Sequence, residues 1–115
     1  MQALNVIEHP RFEADKSSKI QVVKTDQITV DALYLRPGQT HGPLRLPDRD
    51  RAIVAISGKG ELVMHTEPVD QRIDLTPGSV ALAPRGTWHA IVNAGPGDLV
   101  IALSSQFPTK VEERG

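Results

Sequence analysis

Gly and Pro interrupt this chain about every ten residues, and the stretches between them are too short for a core helix. Those stretches are rich in β-branched residues, and no window shows a sustained 3.6-residue apolar period. Strands are expected near Ile20–Lys24, Ile28–Arg36, Ala52–Ser57, Glu61–Thr66, Gln71–Leu75, Ser79–Ala83, Trp88–Val92 and Asp98–Leu103, with a shorter one near Leu44–Leu46. Turn signals separate them: Pro37-Gly38, Pro47-Asp48, Gly58-Lys59-Gly60, Pro68, Pro77-Gly78, Pro84-Arg85-Gly86 and Gly95-Pro96-Gly97. Many short strands at this spacing predict an all-β sandwich or barrel with little or no helix.

The whole chain of 115 residues suits one domain, with its core at about residues 20–105. The first 19 residues form a flexible segment able to add an edge strand, and the polar tail Lys110–Gly115 is expected to fray. Ala52-Ile53-Val54-Ala55-Ile56 is apolar on both faces, so something must cover its outer face. The candidates are the N-terminal segment and a second subunit, and a homodimer is the expectation.

Only four residues are Phe, Tyr or Trp, too few for base-stacking on single-stranded nucleic acid. A net charge of −1 without a basic block removes the footprint of a DNA binder. No apolar run approaches the length of a membrane span, and neither a basic nor an apolar leader region follows Met1. The absence of cysteine excludes disulfides, thiolate metal sites and a Cys nucleophile, and suits a cytoplasmic protein.

One run carries more information than the rest. From Gly78 the order is Gly, five residues, Pro84, one residue, Gly86, two residues, His89, three residues, Asn93. Gly78 permits a tight turn into a strand, Pro84-x-Gly86 breaks it into a corner, and the next strand carries His89. This pattern resembles the second signature motif of the cupin superfamily at every defined position. The first cupin motif places two His, a Glu and a Gly at spacings that here run from Gly38 through Leu44, Leu46 and Arg51 to Gly58. The spacing survives while the ligands do not. The resemblance implies a single jelly-roll β-barrel with an internal pocket, lined by His89, Arg51, Leu44 and Leu46.

Metal-binding cupins hold a divalent ion with three imidazoles and a carboxylate. Leucine has no lone pair to donate, guanidinium stays protonated, and one imidazole alone does not retain a first-row ion. No cofactor is therefore expected. His41, in the loop Gln39–Pro43, reads first as an exposed loop histidine. A slipped loop would instead bring it beside His89, with Asp48 or Asp50 as carboxylate, to hold Fe, Mn, Ni or Zn. Arg51 either faces the cavity, where its planar donors suit a carboxylate or phosphate, or reaches the rim to pair with Asp48 or Asp50. Tyr34 is a candidate for the pocket wall, as tyrosines serve in some metal-free sugar-epimerase cupins. His65 should face outward from its strand, His9 lies in coil before Pro10, and Trp88 should pack in the core or a dimer interface.

Three functions follow as expectations. The first is a metal-free protein that binds a small anionic metabolite and is more a binder than an enzyme. The second is a metal-dependent dioxygenase or isomerase built on His89, His41 and a carboxylate. The third is an interaction domain whose barrel Leu44 and Leu46 simply fill.

Overall fold

The structure, a computed structural model, describes residues 3–106 and 111–114. The apolar stretches between the turns form the strands β1 Ser18–Lys24, β2 Ile28–Leu35, β3 Thr40–Arg45, β4 Arg51–Ser57 and β5 Gly60–Met64. They continue as β6 Gln71–Leu75, β7 Val80–Ala83, β8 His89–Val92, β9 Leu99–Gln106 and β10 Glu112–Glu113. Two antiparallel sheets result, ordered β1-β2-β9-β4-β7 and β10-β3-β8-β5-β6. They face one another as the all-β jelly roll, without a helix among the described residues. In particular, no described helix is long and apolar enough to cross a membrane.

Three differences from the sequence reading have local causes. β3 begins at Thr40, because a bulge between His41 and Leu44 lets the strand pass Gly42-Pro43 without ending. Met1, Gln2, residues 107–110 and Gly115 lie outside the described residues. Within the tail, however, Glu112–Glu113 pair with Arg45 and Leu44 instead of fraying, and Glu112 accepts hydrogen bonds from Arg45. The N-terminal segment forms no strand among the described residues; Val6 and Phe12 instead pack, with Ile20, Val22 and Ile56, against Ala32, Tyr34 and Val100 on the outer face of the first sheet.

Between the sheets, Leu33, Leu35, Ile53, Leu62, Ile91 and Ile101 are fully buried. Each such side chain contributes about 1.5–3 kcal/mol on leaving water. This packed end holds the barrel closed and leaves the other end free to carry polar groups. Residues directly opposite in neighbouring strands share a face. The register of β2, β9 and β4 therefore lines up Thr29, Ser105 and Arg51 across the inner face, with Gln21, Asp31, Leu103 and Ile53 in the next row. Of these polar side chains Thr29 and Arg51 are buried, Asp31 is half-buried and Gln21 is exposed at the open end.

Two motif positions explain themselves in the turns. Gly58 takes φ +82° between β4 and β5, and a Cβ there would collide with the Asp98 carbonyl oxygen. Asn93 is fully buried, and its amide donates to the carbonyls of Leu35 and Gly97, both at 2.9 Å, which ties β2 to the turn before β9.

The outer face of β4 is covered only at one end. There Ile56 packs against the same Ala32, Tyr34 and Val100 cluster as Val6 and Phe12. Beyond it, Val54 stands opposite Val80 and Ala52 opposite Leu82, and Val80 and Leu82 are 74% and 50% exposed.

Candidate functional site

Arg51 opens β4 and points between the sheets, because β4 alternates with residues 51, 53 and 55 inward. It is only 4% exposed, so it neither reaches the rim nor pairs with Asp48 or Asp50. Asp48 instead accepts from Arg49 at 2.8 Å, and Asp50 accepts from the Arg85 backbone N–H at 2.9 Å. The guanidinium meets two rings: Nη1 lies 3.2 Å from His89 Nε2, and Nη2 lies 3.1 Å from His41 Nε2.

Arginine has only donors, so both Nε2 atoms must accept. Each imidazole is then neutral with its proton on Nδ1. For His89 the Thr87 carbonyl, 3.0 Å from Nδ1, takes that proton as a hydrogen bond. Burial and the neighbouring guanidinium act in the same sense on both rings. They press His41 down to about 3 and His89 below the ordinary histidine value, although the Thr87 bond works against the latter. Burial lowers Arg51 to about 10, with Asp31 opposing, so it remains a cation at neutral pH.

His41 was expected in an exposed loop, and the β3 bulge places it inward instead. Leu44 stands opposite His89 and His41 opposite Ile91, so all four share the interior side. Gly42 adopts φ +100° in the bulge, where a Cβ would lie 2.7 Å from the His89 carbonyl oxygen. The Gly-Pro pair thus marks a bulge that re-aims a side chain, a reading that the sequence permits but that a loop reading hides.

The donors here do not fit the divalent ion of the family pattern. Leu44 and Leu46 are buried hydrocarbon at two ligand positions, and Arg51 fills the carboxylate position. The two available imidazole lone pairs already accept from that arginine. Among the described residues no cluster of three His, Cys, Asp or Glu exists that could hold a metal.

Beside the guanidinium opens a cavity of about 220 Å³. Its polar wall includes Lys19, Thr29, Asp31, Arg49, Arg51 and Ser105. Leu44, Leu46, Leu103 and Val111 form the apolar wall. Among the described residues Lys19, Arg49 and Arg51 stand against Asp31 in this lining, and Asp48 pairs with Arg49, which leaves it mildly electropositive. A shallower groove of about 450 Å³ adjoins it, shares Lys19, Leu44 and Val111, and reaches His41.

The model of the cupin domain family matches residues 31–104 of this chain, which include both motifs and, of the cavity wall, Asp31, Leu44, Leu46, Arg49, Arg51 and Leu103. The chain belongs to the cupin family. Solved structures agree on the fold. A protein of Thermus thermophilus superposes with a TM-score of 0.83 at 23% identity, over 92% of this cupin and 97% of that chain. An uncharacterized protein with a double-stranded β-helix domain from Klebsiella pneumoniae gives 0.87 at 19% identity, over 100% and 98%. An RmlC-like cupin from Desulfovibrio desulfuricans gives 0.78 at 22%, over 92% and 96%. At these identities the likeness is one of fold. No curated protein matches the cupin in sequence.

Within this cupin the other candidates fall outside the cavity. Tyr34 is fully buried, but on the outer face of the first sheet, where its hydroxyl donates to the Val6 carbonyl at 2.8 Å and its ring meets Phe12. Its neighbours Leu33 and Leu35 are the inward residues of β2. His89 stands behind Arg51 and does not itself line the cavity. Trp88 lies between the guanidiniums of Arg45 and Arg114, at 5.1 and 4.1 Å, instead of in the core. His65 faces Asp70 at 3.3 Å, and His9 lies exposed. The sequence reading missed Lys19, Thr29, Asp31, Arg49 and Ser105. For Asp31 a signal existed, since it interrupts the apolar run of β2 at an inward position.

Proposed function

We propose that this cupin binds a small anionic metabolite in a metal-free pocket, with the Arg51 guanidinium as its resident cation. One observation carries the proposal. A buried guanidinium whose side-chain partners are two neutral imidazoles faces a cavity with excess positive charge. Asp31 acts on Arg51 from across the cavity without reaching it, and an anion in contact with the guanidinium would offset more of the several kcal/mol that burying an ion costs. Planar guanidinium donors suit a carboxylate or phosphate in two-point contact. The cavity volume favours a ligand over a filled barrel. Both Nε2 lone pairs are committed to Arg51, so neither ring offers a base to a substrate, which favours binding over catalysis.

Arg51→Gln keeps much of the side-chain volume and removes the charge. Wild-type protein is expected to gain thermal stability with rising carboxylate or phosphate concentration, by about 2.7 kcal/mol at a hundredfold excess over Kd. In the variant that gain should disappear. Equal stabilisation of both proteins, or none of wild type, would refute the assignment.

The uncharged outer face formed by Ala52, Val54, Val80 and Leu82 belongs, in the same reading, to a homodimer. An apolar face without charges offers nothing to a charged partner and complements its own copy about a two-fold axis. Light scattering at micromolar concentration should give twice the chain mass, and Leu82→Lys should halve it. A monomeric wild type would end this part of the proposal. The lack of cysteine leads us to place the cupin in the cytoplasm, which fractionation of cells producing the untagged chain would check.

A further inference from the structure

Among the described residues, Asp31 is the single carboxylate in a cavity lined otherwise by cations, neutral polar groups and hydrocarbon. It projects from β2 on the inner face, two strands from Arg51, with β9 between them. Its side chain is 15% exposed, and its neighbours hold it loosely. Thr29 Oγ1 donates to Oδ1 at 3.4 Å, and Lys19 Nζ lies 3.9 Å from Oδ2. A carboxylate offers about four acceptor sites, so lone pairs remain for another donor. Arg51, the strongest donor in the cavity, does not reach it and spends its Nη contacts on His41 and His89.

A guanidinium and a carboxylate that face one cavity without meeting call for a bridging group. That group accepts at one end and donates at the other. Building on the anion-binding reading, we infer that the ligand is a short 2-hydroxy carboxylate. Its carboxylate lies against Arg51 and Ser105, and its hydroxyl donates to Asp31. The hydrocarbon end rests on Leu44, Leu46 and Leu103.

Size and charge narrow the choice. A cavity of about 220 Å³ lies below the roughly 300–1,000 Å³ usual for drug-sized ligands. A tail of a few carbons fills it. An ammonium in place of the hydroxyl would also donate to Asp31, but Lys19, Arg49 and Arg51 would repel it. A ketone would present an acceptor to the carboxylate and leave both unsatisfied.

Calorimetric titration of the full chain with 2-hydroxybutanoate, butanoate, 2-oxobutanoate and 2-aminobutanoate tests this. The hydroxy acid should bind about tenfold or more tightly than each of the other three, the difference expected for one hydrogen bond in a water-poor site. Asp31→Leu should erase the preference over butanoate without abolishing carboxylate binding, and Asp31→Asn, which retains an acceptor oxygen, should restore part of it. Circular dichroism of each variant shows whether it is folded, and wild-type discrimination among the four acids needs no variant. Equal binding of butanoate and 2-hydroxybutanoate, still dependent on Arg51, would overturn this inference and leave the anion-binding reading intact. Tighter binding of 2-aminobutanoate would overturn it as well. Failure of every carboxylate and of inorganic phosphate to bind would overturn both.

Discussion

Replacing Arg51 with glutamate is expected to turn this barrel into one that holds a divalent metal ion. The guanidinium now occupies the Nε2 atoms of His41 and His89, at 3.1 and 3.2 Å. Its removal frees both lone pairs, and the introduced carboxylate starts from the same inward position on β4. Two imidazoles and one carboxylate are a set suited to Fe(II) or Mn(II). The His89 ring is already oriented by its Nδ1 bond to Thr87, as ligating histidines usually are. After equilibration with Mn(II) and gel filtration, the variant should retain close to one ion per chain, and wild type essentially none. The variant should also lose anion binding, because the cavity exchanges its central cation for a negative charge. A folded variant that takes up no metal would mean that the two imidazoles do not converge as described.

Acid should destabilise the protein from about pH 6.5 downward. Burial first, and Arg51 second, hold His41 at about 3, far below the ordinary histidine value of 6.5. Between those two values the unfolded chain binds a proton that the folded protein refuses. Stability is therefore complete above pH 6.5 and falls as pH drops toward 3, with His89 adding in the same direction. For His41 the slope has a ceiling of about 1.4 kcal/mol per pH unit. Its ring is partly exposed, and solvent screening narrows the pH range over which that slope applies. A loss of a few kcal/mol by pH 4 is still a large part of the ~5–15 kcal/mol that holds a domain together. Urea unfolding between pH 4 and 8 measures the slope. His41→Gln, which keeps an acceptor for Arg51 but does not titrate, should flatten the profile. An unchanged slope in that variant would assign the acid sensitivity to other groups.

The fold was legible because turn chemistry and β-branched runs agree along most of the chain. The spacing Gly78–Asn93 also located His89 on an inward strand, and the first motif located Leu44, Leu46 and Arg51. The site was legible only in part, and each gap has a physical cause. Gly42-Pro43 reads as a loop unless a bulge is considered, and the bulge is what brings His41 to Arg51. Ala32, Leu33, Tyr34 and Leu35 are all buried, so alternation gives no hint that Tyr34 faces the N-terminal segment while its neighbours face the core. Arg51 stands in a charge-dense segment where a rim ion pair is the cheaper local solution. Asp48 and Asp50 find other partners, Arg49 and the Arg85 backbone, and the cation goes inside. Lys19, Asp31 and Ser105 meet only through pairings across β1, β2, β9 and β4, which no local pattern encodes.

One permanent cation, Arg51, satisfies two neutral rings and leaves a charge for a ligand. Nitrogen-15 NMR of the histidine side chains in untagged wild-type protein reads this arrangement directly. His41 and His89 should both appear neutral at pH 7, protonated at Nδ1 and hydrogen-bonded through a bare Nε2, and His41 should stay so as the pH is lowered to 5. A charged ring at pH 7, or an Nε2 atom bound to a metal ion, would contradict it.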